Sequence, residues 1–144
     1  IVKPDRLYMG QKDFQQFTVI NQMILALNMP VQLIVCPIVR EKNGLAMSSR
    51  NERLSTEGRR QAALIYQVLI NGKQKIPLST PGEIETSCLE QLQVPGFIPE
   101  YFSIVDSLTL KPVSAWNQSS RPVACVAVWL EGVRLIDNEY YDHD

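Results

Sequence analysis

Strand-like and helical hydrophobic patterns alternate in the first part of the chain. Residues 6–9 form a short strand-like run, residues 14–27 carry apolar side chains at helical spacing, and residues 31–36 form a second strand-like run. Asn28-Met29-Pro30 ends the helix, because proline cannot continue it, and Asp13 places a carboxylate at its positive end. A strand, a helix and a second strand over this length predict a right-handed βαβ unit with parallel strands.

The pattern changes in the second part of the chain. Ser55 is placed to cap a helix over residues 56–70. Thr80-Pro81-Gly82-Glu83 combines a capping threonine, a proline at the first helical position and a glutamate at the third, which predicts a second helix ending near residue 93. Strand-like runs follow at residues 101–106, 123–130 and 133–137, and Glu131-Gly132 fits a two-residue hairpin turn.

These patterns together predict an α/β fold class: a partial Rossmann-like βαβ unit with parallel strands, followed by a small α+β domain with two helices and a three-stranded antiparallel sheet. We assign residues 1–50 to the last part of a Rossmann-like nucleotide-binding domain and residues 51–144 to the small carboxyl-terminal domain. The chain begins with Ile1 rather than methionine, and one βαβ unit cannot cover both faces of a parallel strand pair. We therefore expect the carboxyl-terminal portion of a longer protein.

Charge and composition exclude several classes of partner. A formal net charge of −1 provides no basic field for nucleic acid, and no run of about 18 apolar residues is present for a membrane span. Cys36, Cys88 and Cys125 are odd in number and lack metal-ligand spacing, so we expect buried, unpaired thiols and no metal site. His143, the only histidine, lies in an acidic tail that we expect to be disordered, which leaves little scope for histidine catalysis. We expect a cytoplasmic protein without nucleic acid or membrane partners.

Polar segments follow both strands of the predicted parallel pair. Gly10-Gln11-Lys12-Asp13 follows the first strand, and Gly44-Leu45-Ala46-Met47-Ser48-Ser49-Arg50-Asn51 lies shortly after the second. Hydroxyl and guanidinium groups are donors that proteins use for phosphate oxygens. Because open α/β sheets bind ligands at the carboxyl ends of their parallel strands, the two segments predict a nucleotide-binding edge.

Each of these groups also has an ordinary structural role open to it. Lys12 is either a phosphate ligand at a helix N-terminus or a solvated lysine, and Asp13 either accepts from a ribose hydroxyl or caps the helix. Ser48-Ser49-Arg50 either holds phosphates on a closing lid or forms a turn before a helix, and Gly44 supplies backbone freedom that suits a lid. Arg40-Glu41 is a surface ion pair on the simplest interpretation.

Longer blocks of sequence indicate a family. The first part of the chain contains, in this order, Tyr8-Met9-Gly10-Gln11-Lys12-Asp13-Phe14-Gln15-Gln16, Pro37-Ile38-Val39-Arg40-Glu41 and Gly44-Leu45-Ala46-Met47-Ser48-Ser49-Arg50-Asn51. These blocks closely resemble the pantothenate synthetase (pantoate–β-alanine ligase) family, and residues 101–106 and 133–138 resemble its carboxyl-terminal domain. Met9 stands where the family more often has phenylalanine. The family's amino-terminal half, with its His-x-Gly-His signature and most of the pantoate pocket, is not in this chain.

The resemblance implies ATP-dependent condensation of pantoate with β-alanine through a pantoyl-adenylate, with Mg²⁺ and release of pyrophosphate and then AMP. It also implies a homodimeric full-length enzyme and likeness to class I tRNA synthetases, with Met47-Ser48-Ser49-Arg50 in place of their mobile KMSKS loop. Carried over to this sequence, Gly10 and Asp13 hold the ribose and Lys12 reaches the phosphates. Val39 contacts adenine through its backbone, Gln16 holds pantoate, and Ser48, Ser49 and Arg50 hold the β- and γ-phosphates.

On this basis we expect the carboxyl-terminal portion of such a ligase, inactive by itself because much of the pantoate pocket is missing. Pantoate already carries a nucleophilic carboxylate, so the first step needs charge neutralisation at phosphorus more than it needs a base. Two alternatives stay open. One is another nucleotidyltransferase-type enzyme with a different acceptor, and the other is a domain that only folds or associates.

Overall fold

The first elements form the expected βαβ unit. The computed structural model describes residues 3–142, so the expectations for Ile1 and His143 lie outside the described residues. Its first elements are β1 (Arg6–Gly10), α1 (Phe14–Ala26) and β2 (Gln32–Cys36). The two strands pair in parallel, with Gly10 opposite Cys36, and α1 ends before Asn28, which has a left-handed backbone (φ 45°). The prediction of parallel strands joined by a helix is confirmed.

Three helices and an antiparallel sheet follow. The helices are α2 (Thr56–Gln61), α3 (Leu64–Gln74) and α4 (Pro81–Gln91), and the strands are β3 (Phe97–Asp106), β4 (Pro122–Leu130) and β5 (Val133–Tyr140), in the order β3-β4-β5. The capping box at Thr80 is present in full. Glu131 and Gly132 both have positive φ (51° and 73°), as the tight hairpin between β4 and β5 requires.

The predicted single helix over residues 56–70 is wrong in two respects. It is divided at Ala62 and Ala63, two small buried residues between α2 and α3. It also continues to Gln74, past residue 70, the predicted end. Gly72 lies within this extension and serves packing, because a side chain there would collide with the Tyr141 hydroxyl, which donates to the Leu69 carbonyl at 2.7 Å.

Strand β3 begins four residues earlier than residue 101, the expected start. A shift in the pairing register between Pro99 and Tyr101 leaves Glu100 as the extra residue. A bulge of this kind accommodates proline, which cannot donate a ladder hydrogen bond. Residues 97–100, which precede the predicted strand, therefore also belong to the sheet.

The antiparallel sheet is covered on both faces. One face carries Ile104, Val126 and Val128 into the main hydrophobic core with α3 and α4. The other face carries Val123 into a smaller cluster with Phe14 and Phe17 of α1. Because strand residues alternate between faces, the βαβ unit and the helices lie on opposite sides of the same sheet, and a cleft opens between the sheet and the start of α1.

The thiols differ from the expectation in one case. Cys88 is buried and Cys125 partly buried, and burial raises their pKa to about 11 and about 12, respectively. Cys36 is exposed, contrary to the prediction, because it is the last residue of a strand with a single neighbour in the described part of the chain. All three thiols are free. None of the helices within residues 3–142 has the length and apolar character needed to cross a bilayer.

We expect the backbone amides of β4 to exchange with solvent most slowly and those of β1 and β2 faster in a dilute, monomeric sample. Strand β4 has a neighbour on each side, whereas β1 and β2 each have one within the described residues and pack against the smaller cluster. Hydrogen exchange followed by mass spectrometry measures this, with α3 as the internal reference for the main core. Protection of β1 and β2 at or above the level of β4 would contradict the expectation.

Candidate functional site

The parallel pairing of β1 and β2 brings the first polar segment to the carboxyl edge of both strands. The Gln11 N–H donates to the Cys36 carbonyl at 2.8 Å, which extends the strand pairing by one step. The chain then turns through Lys12 and Asp13 into α1. This turn borders a cleft of about 400 Å³, whose opposite wall is the sheet face that carries Tyr101 and Arg134.

Lys12 lies where the two polar segments meet. It is half-buried and lines the cleft, and it also lines a smaller pocket together with Ser48 and Asp137. Burial lowers the pKa of Lys12 below its usual range; the Asp13 carboxylate opposes this shift, and the positive charge of Arg50 adds to it. The pocket that Lys12 and Ser48 share therefore joins the ends of the two segments.

The second polar segment is a hydrogen-bonded hairpin, where the sequence suggested a loop with backbone freedom. The Met47 N–H donates to the Val39 carbonyl at 2.9 Å, and the Glu41 N–H donates to the Leu45 carbonyl at 2.8 Å. Gly44 occupies the turn with φ 93°, and a Cβ there would lie 2.7 Å from a ring carbon of Tyr66. The glycine is therefore needed for a fixed turn and a close approach.

A short 3-10 helix over Ser49–Arg53 follows the hairpin. Ser48 precedes it, and its hydroxyl accepts from the Arg50 N–H at 3.3 Å. Asn51 is buried and donates to the Glu41 carboxylate and the Ala46 carbonyl, both at 3.0 Å. These bonds fix the backbone that carries Ser48 and Arg50 to the hairpin before it.

Arg40 and Glu41 do not pair with each other, so the interpretation of a local ion pair is wrong. Arg40 forms a two-pronged ion pair with the buried Asp137 at 2.6 and 3.2 Å, and its guanidinium lies 3.7 Å from the centre of the Tyr66 ring. Glu41 accepts from Arg59, and this hydrogen bond lowers the pKa of the Glu41 carboxyl. Side chains of adjacent residues in an extended segment point to opposite sides, which sends the two charges to different partners.

Several further predicted site residues lie around the same edge. Asp13 occupies the position before the first residue of α1, but its carboxylate forms no capping bond and stays exposed. Gln16 lines the cleft, and Gly10 lies at the end of β1 with open space beside it. Val39, Met47 and Ser49 are exposed, and they line neither the cleft nor the smaller pocket. The ligand roles assigned to all these residues stay predictions.

Two residues of β5 take part in the site although pattern analysis did not select them. Asp137 and Asn138 are 4% and 1% exposed. Asn138 donates to the backbone carbonyls of Gln11 and Lys12 at 3.0 and 3.1 Å and accepts from the Gln11 side chain at 3.2 Å. An Asp-Asn pair inside a strand is unusual, and that was the available signal for a polar partner at this position.

Comparison with known proteins identifies the family. A family model described as Pantoate-beta-alanine ligase matches residues 1–140. The pantothenate synthetase of Porphyromonas gingivalis is 42% identical over 143 residues, which cover 99% of this chain and 51% of that protein. The pantothenate synthetase of Bacteroides fragilis is 45% identical over 141 residues, which cover 97% of this chain and 50% of that protein.

Solved structures agree with the sequence matches. Pantothenate synthetase from Thermus thermophilus superposes with a TM-score of 0.91 at 37% identity, over 99% of this chain and 51% of that one. Pantoate-beta-alanine ligase from Francisella tularensis, solved in complex with Beta-gamma ATP and beta-alanine, has a TM-score of 0.65 at 27% identity, over 99% of this chain and 46% of that one.

The chain therefore belongs to the pantoate-beta-alanine ligase family. It spans about half the length of the curated relatives that it matches. This agrees with the expectation that the chain corresponds to the carboxyl-terminal portion of such a ligase.

Replacing Gly44 by alanine should lower the free energy of unfolding by about 1–3 kcal/mol, because a left-handed backbone is strained for a side chain and the added methyl group meets Tyr66. Gly82→Ala is the matched control. Gly82 lies within α4 with no atom within 4 Å of the added Cβ, so we expect no loss and a gain of up to about 1 kcal/mol. Chemical denaturation of both variants measures the difference; equal stability of the two would show that the turn does not need glycine.

Proposed function

We propose that this chain forms the ribose- and phosphate-binding edge of an ATP-dependent ligase, which condenses pantoate with β-alanine through a pantoyl-adenylate to give pantothenate, AMP and pyrophosphate. The observation that carries the proposal is the small pocket that Lys12 and Ser48 both line, beyond the carboxyl ends of two parallel strands. Such a pocket suits a phosphate chain, because an ammonium and a hydroxyl border one small volume and the positive charge of Arg50 acts on the same ammonium. Family membership and the ATP and β-alanine complex of the Francisella tularensis relative support it.

Within this function each predicted residue has a role. Gly10 and Asp13 hold the ribose, the exposed Asp13 carboxylate being available to a hydroxyl because it caps no helix. The backbone of Val39 contacts adenine, Met47 belongs to the phosphate-binding segment, and Gln16 holds pantoate from within the cleft. Lys12 is the group that follows the phosphates, and Ser48, Ser49 and Arg50 hold the β- and γ-phosphates.

The first step joins a pantoate carboxylate oxygen to the α-phosphorus of ATP and breaks the bond from that phosphorus to the pyrophosphate oxygen. Negative charge moves toward the leaving pyrophosphate, and preorganised cations stabilise it. Lys12 and Arg50 are these cations in the described chain. In the second step the amine of β-alanine attacks the acyl carbon and AMP leaves, which depends chiefly on holding the two groups together. The cleft of about 400 Å³ falls in the usual range of small-molecule sites, about 300–1,000 Å³.

Mg²⁺ belongs to this proposal as part of the MgATP substrate. Among residues 3–142 no group of three His, Cys, Asp or Glu side chains is placed to hold a metal ion. The ammonium, guanidinium and hydroxyl groups of this site suit phosphate oxygens, whereas the Asp13 carboxylate is assigned to the ribose and Asp137 is paired with Arg40. The proposal therefore assigns the ion no ligand among the described residues.

The proposal extends to organisation. It includes a division into two domains between residues 50 and 51 and a Rossmann-like βαβ unit. It also includes a homodimeric full-length enzyme and a cytoplasmic location.

The chain by itself should not make pantothenate, since the resemblance puts most of the pantoate pocket in a part of the family that this chain does not match. The loss of one contact made only in the transition state typically lowers the rate by about 10² or more, and several such contacts are missing together.

Two measurements test the proposed function. Calorimetric titration of the 144-residue chain with MgATP should show binding, while the chain alone should release no AMP from ATP, pantoate and β-alanine. A chimera in which this chain replaces the matching segment of the Bacteroides fragilis enzyme should release AMP only when both pantoate and β-alanine are present. Absence of nucleotide binding would favour a folding or association domain, and turnover with a different acid would favour another nucleotidyltransferase.

Arg50→Ala should damage adenylate formation in that chimera far more than it destabilises the fold. Arg50 is exposed, and exposed substitutions usually change stability by within about 0.5 kcal/mol. A lost charge-assisted contact to phosphate costs about 1.5–3 kcal/mol, or roughly tenfold to a hundredfold in rate. Pyrophosphate release without β-alanine measures the effect, and Arg53→Ala in the same 3-10 helix is the control. Normal release from an Arg50→Ala variant that unfolds early would show a structural role instead.

The affinity for ATP should fall as the pH rises through the lowered pKa of Lys12. Phosphate binding favours the charged amine, so above the pKa of the free chain Lys12 must take up a proton in order to bind. The free energy of unfolding has the opposite pH dependence, because the folded state holds the Lys12 proton less tightly than the unfolded state. The contribution of Lys12 to stability therefore increases with pH between its lowered pKa in the folded chain and the ordinary lysine pKa of 10.5. Titrations across this range measure the affinity. Lys12→Arg, which stays charged, should remove the dependence; an unchanged dependence would exclude Lys12 as its source.

A further inference from the structure

Asp137 and Asn138 join the two polar segments from a strand that lies far away in sequence. Asn138 contacts Lys12 and Gln11 of the first segment, which lie 126 and 127 positions before it in the sequence. Asp137 contacts Arg40, which lies 97 positions before it and shortly before the second segment. Both are almost completely buried. Neither residue is assigned a ligand in the proposed function, although both are buried polar groups on one strand.

The geometry points to a positioning role, resting on the proposed function: Asn138 fixes the direction in which Lys12 leaves the backbone, and Asp137, through Arg40, fixes the hairpin that carries Ser48 and Arg50. The ligand is the polyphosphate chain of the nucleotide. Neither residue touches it; each acts by holding a group that does.

Asn138 acts on the backbone of Lys12, and this contact is called the first arm; the contact of Asp137 with Arg40 is the second arm. One side-chain amide, that of Asn138, donates to the carbonyl of Gln11 and to the carbonyl of Lys12. These two carbonyls belong to the two peptide planes that flank the Cα atom of Lys12. Because peptide units are planar, anchoring both planes sets the φ and ψ angles at Lys12 and therefore the direction of its Cα–Cβ bond. The Gln11 side chain returns a hydrogen bond to Asn138 and completes the contact.

The second arm acts on the hairpin. The Arg40 guanidinium donates to both carboxylate oxygens of Asp137 and to the Gly44 carbonyl at 3.1 Å. It also stacks on the Tyr66 ring, against which the Gly44 turn is packed. Three groups are thereby held around one planar cation. Since the hairpin is paired from Val39 to Met47, its turn cannot shift without moving the segment that follows.

The two arms share adjacent residues of one strand, and this fixes the distance between the segments. The backbone N–H of Asn138 donates to the Asp137 carboxylate at 2.8 Å, so the Asp137 side chain is also held against the strand backbone that carries Asn138. Groups that contact a ligand work only within about 0.5 Å of their productive positions, and supporting residues set that accuracy. Lys12 and Arg50 repel each other, so their approach needs such support.

A thermodynamic cycle tests the first arm. In the 144-residue chain, Asn138→Ala should weaken MgATP binding about tenfold, whereas it should change adenosine binding less than about twofold, because adenosine lacks the phosphates that Lys12 reaches. In a Lys12→Ala background the same change should cost less than about twofold, since residues that act through each other are not additive. Equal losses for ATP and adenosine, or an undiminished loss in the Lys12→Ala background, would overturn the inference.

Controls separate positioning from general destabilisation. Val133→Ala removes packing from the main core at the other end of the same strand, where β5 begins, and at a temperature where it remains folded it should bind MgATP within about twofold of the wild type. For the second arm, Asp137→Asn keeps the shape but loses the charge. Its effect on MgATP binding should disappear in an Arg50→Ala background, and persistence there would refute that arm.

A measurement without nucleotide separates this inference from the proposed function. The rate at which acetic anhydride labels the Lys12 amine, followed against pH by mass spectrometry, reports the pKa of that amine. Asn138→Ala should move it back toward the ordinary value, and an unchanged profile would overturn the positioning role. If the wild-type chain fails to bind MgATP while the profile shifts, the proposed function falls and the control of Lys12 by Asn138 stands.

Discussion

The ion pair between Arg40 and Asp137 is the interaction on which the rest of the site depends. A buried ion pair loses much of its Coulombic gain to desolvation, so it is weak support for stability by itself. Burial indeed raises the pKa of Asp137, and the Arg40 guanidinium opposes that rise. Arg40 also donates to the Gly44 carbonyl, and its face covers Tyr66, so the buried pair is tied to the hairpin as well. Such a pair specifies geometry: it sets where the hairpin sits on the sheet.

This constraint explains why the site cannot belong to either structural unit alone. The βαβ unit supplies Lys12, but the groups that hold the backbone of Lys12 come from β5, the last strand of the antiparallel sheet. The hairpin lies between the two units, and its Leu45 packs in the main core with α3 and α4. The sheet therefore does two things with its two faces: one closes the hydrophobic core, and the other forms the floor of the cleft. Because Asp137 and Asn138 are adjacent in β5, they lie on opposite faces, Asp137 opposite Val126 and Asn138 opposite Cys125.

Features that depend on neighbouring residues could be predicted from the sequence, and features that depend on distant ones could not. The capping box at Thr80 and the Glu131-Gly132 turn follow from contacts within a few residues, and the βαβ unit follows from the hydrophobic spacing of three consecutive elements; all three are present. The division of the helix at Ala62 depends on how the core fills, which no local pattern states. The partners of Arg40 and Asn138 lie 97 and more positions away, so the sequence indicated the two polar segments but not the strand that contacts both.

The electrostatics around Lys12 also bear on what this edge is for. Lys12 is half-buried beside another cation, and both effects lower its pKa, so holding it there opposes folding at neutral pH. Asp13 compensates only in part. A domain that merely folded or associated would gain stability by turning Lys12 toward water, yet Asn138 anchors the backbone on both sides of it. A polyanion is the kind of ligand that would relieve this repulsion, because it supplies the negative charge that the folded chain withholds. Local destabilisation maintained by well-made supporting contacts is characteristic of binding sites, and here it occurs where the family resemblance puts the phosphates.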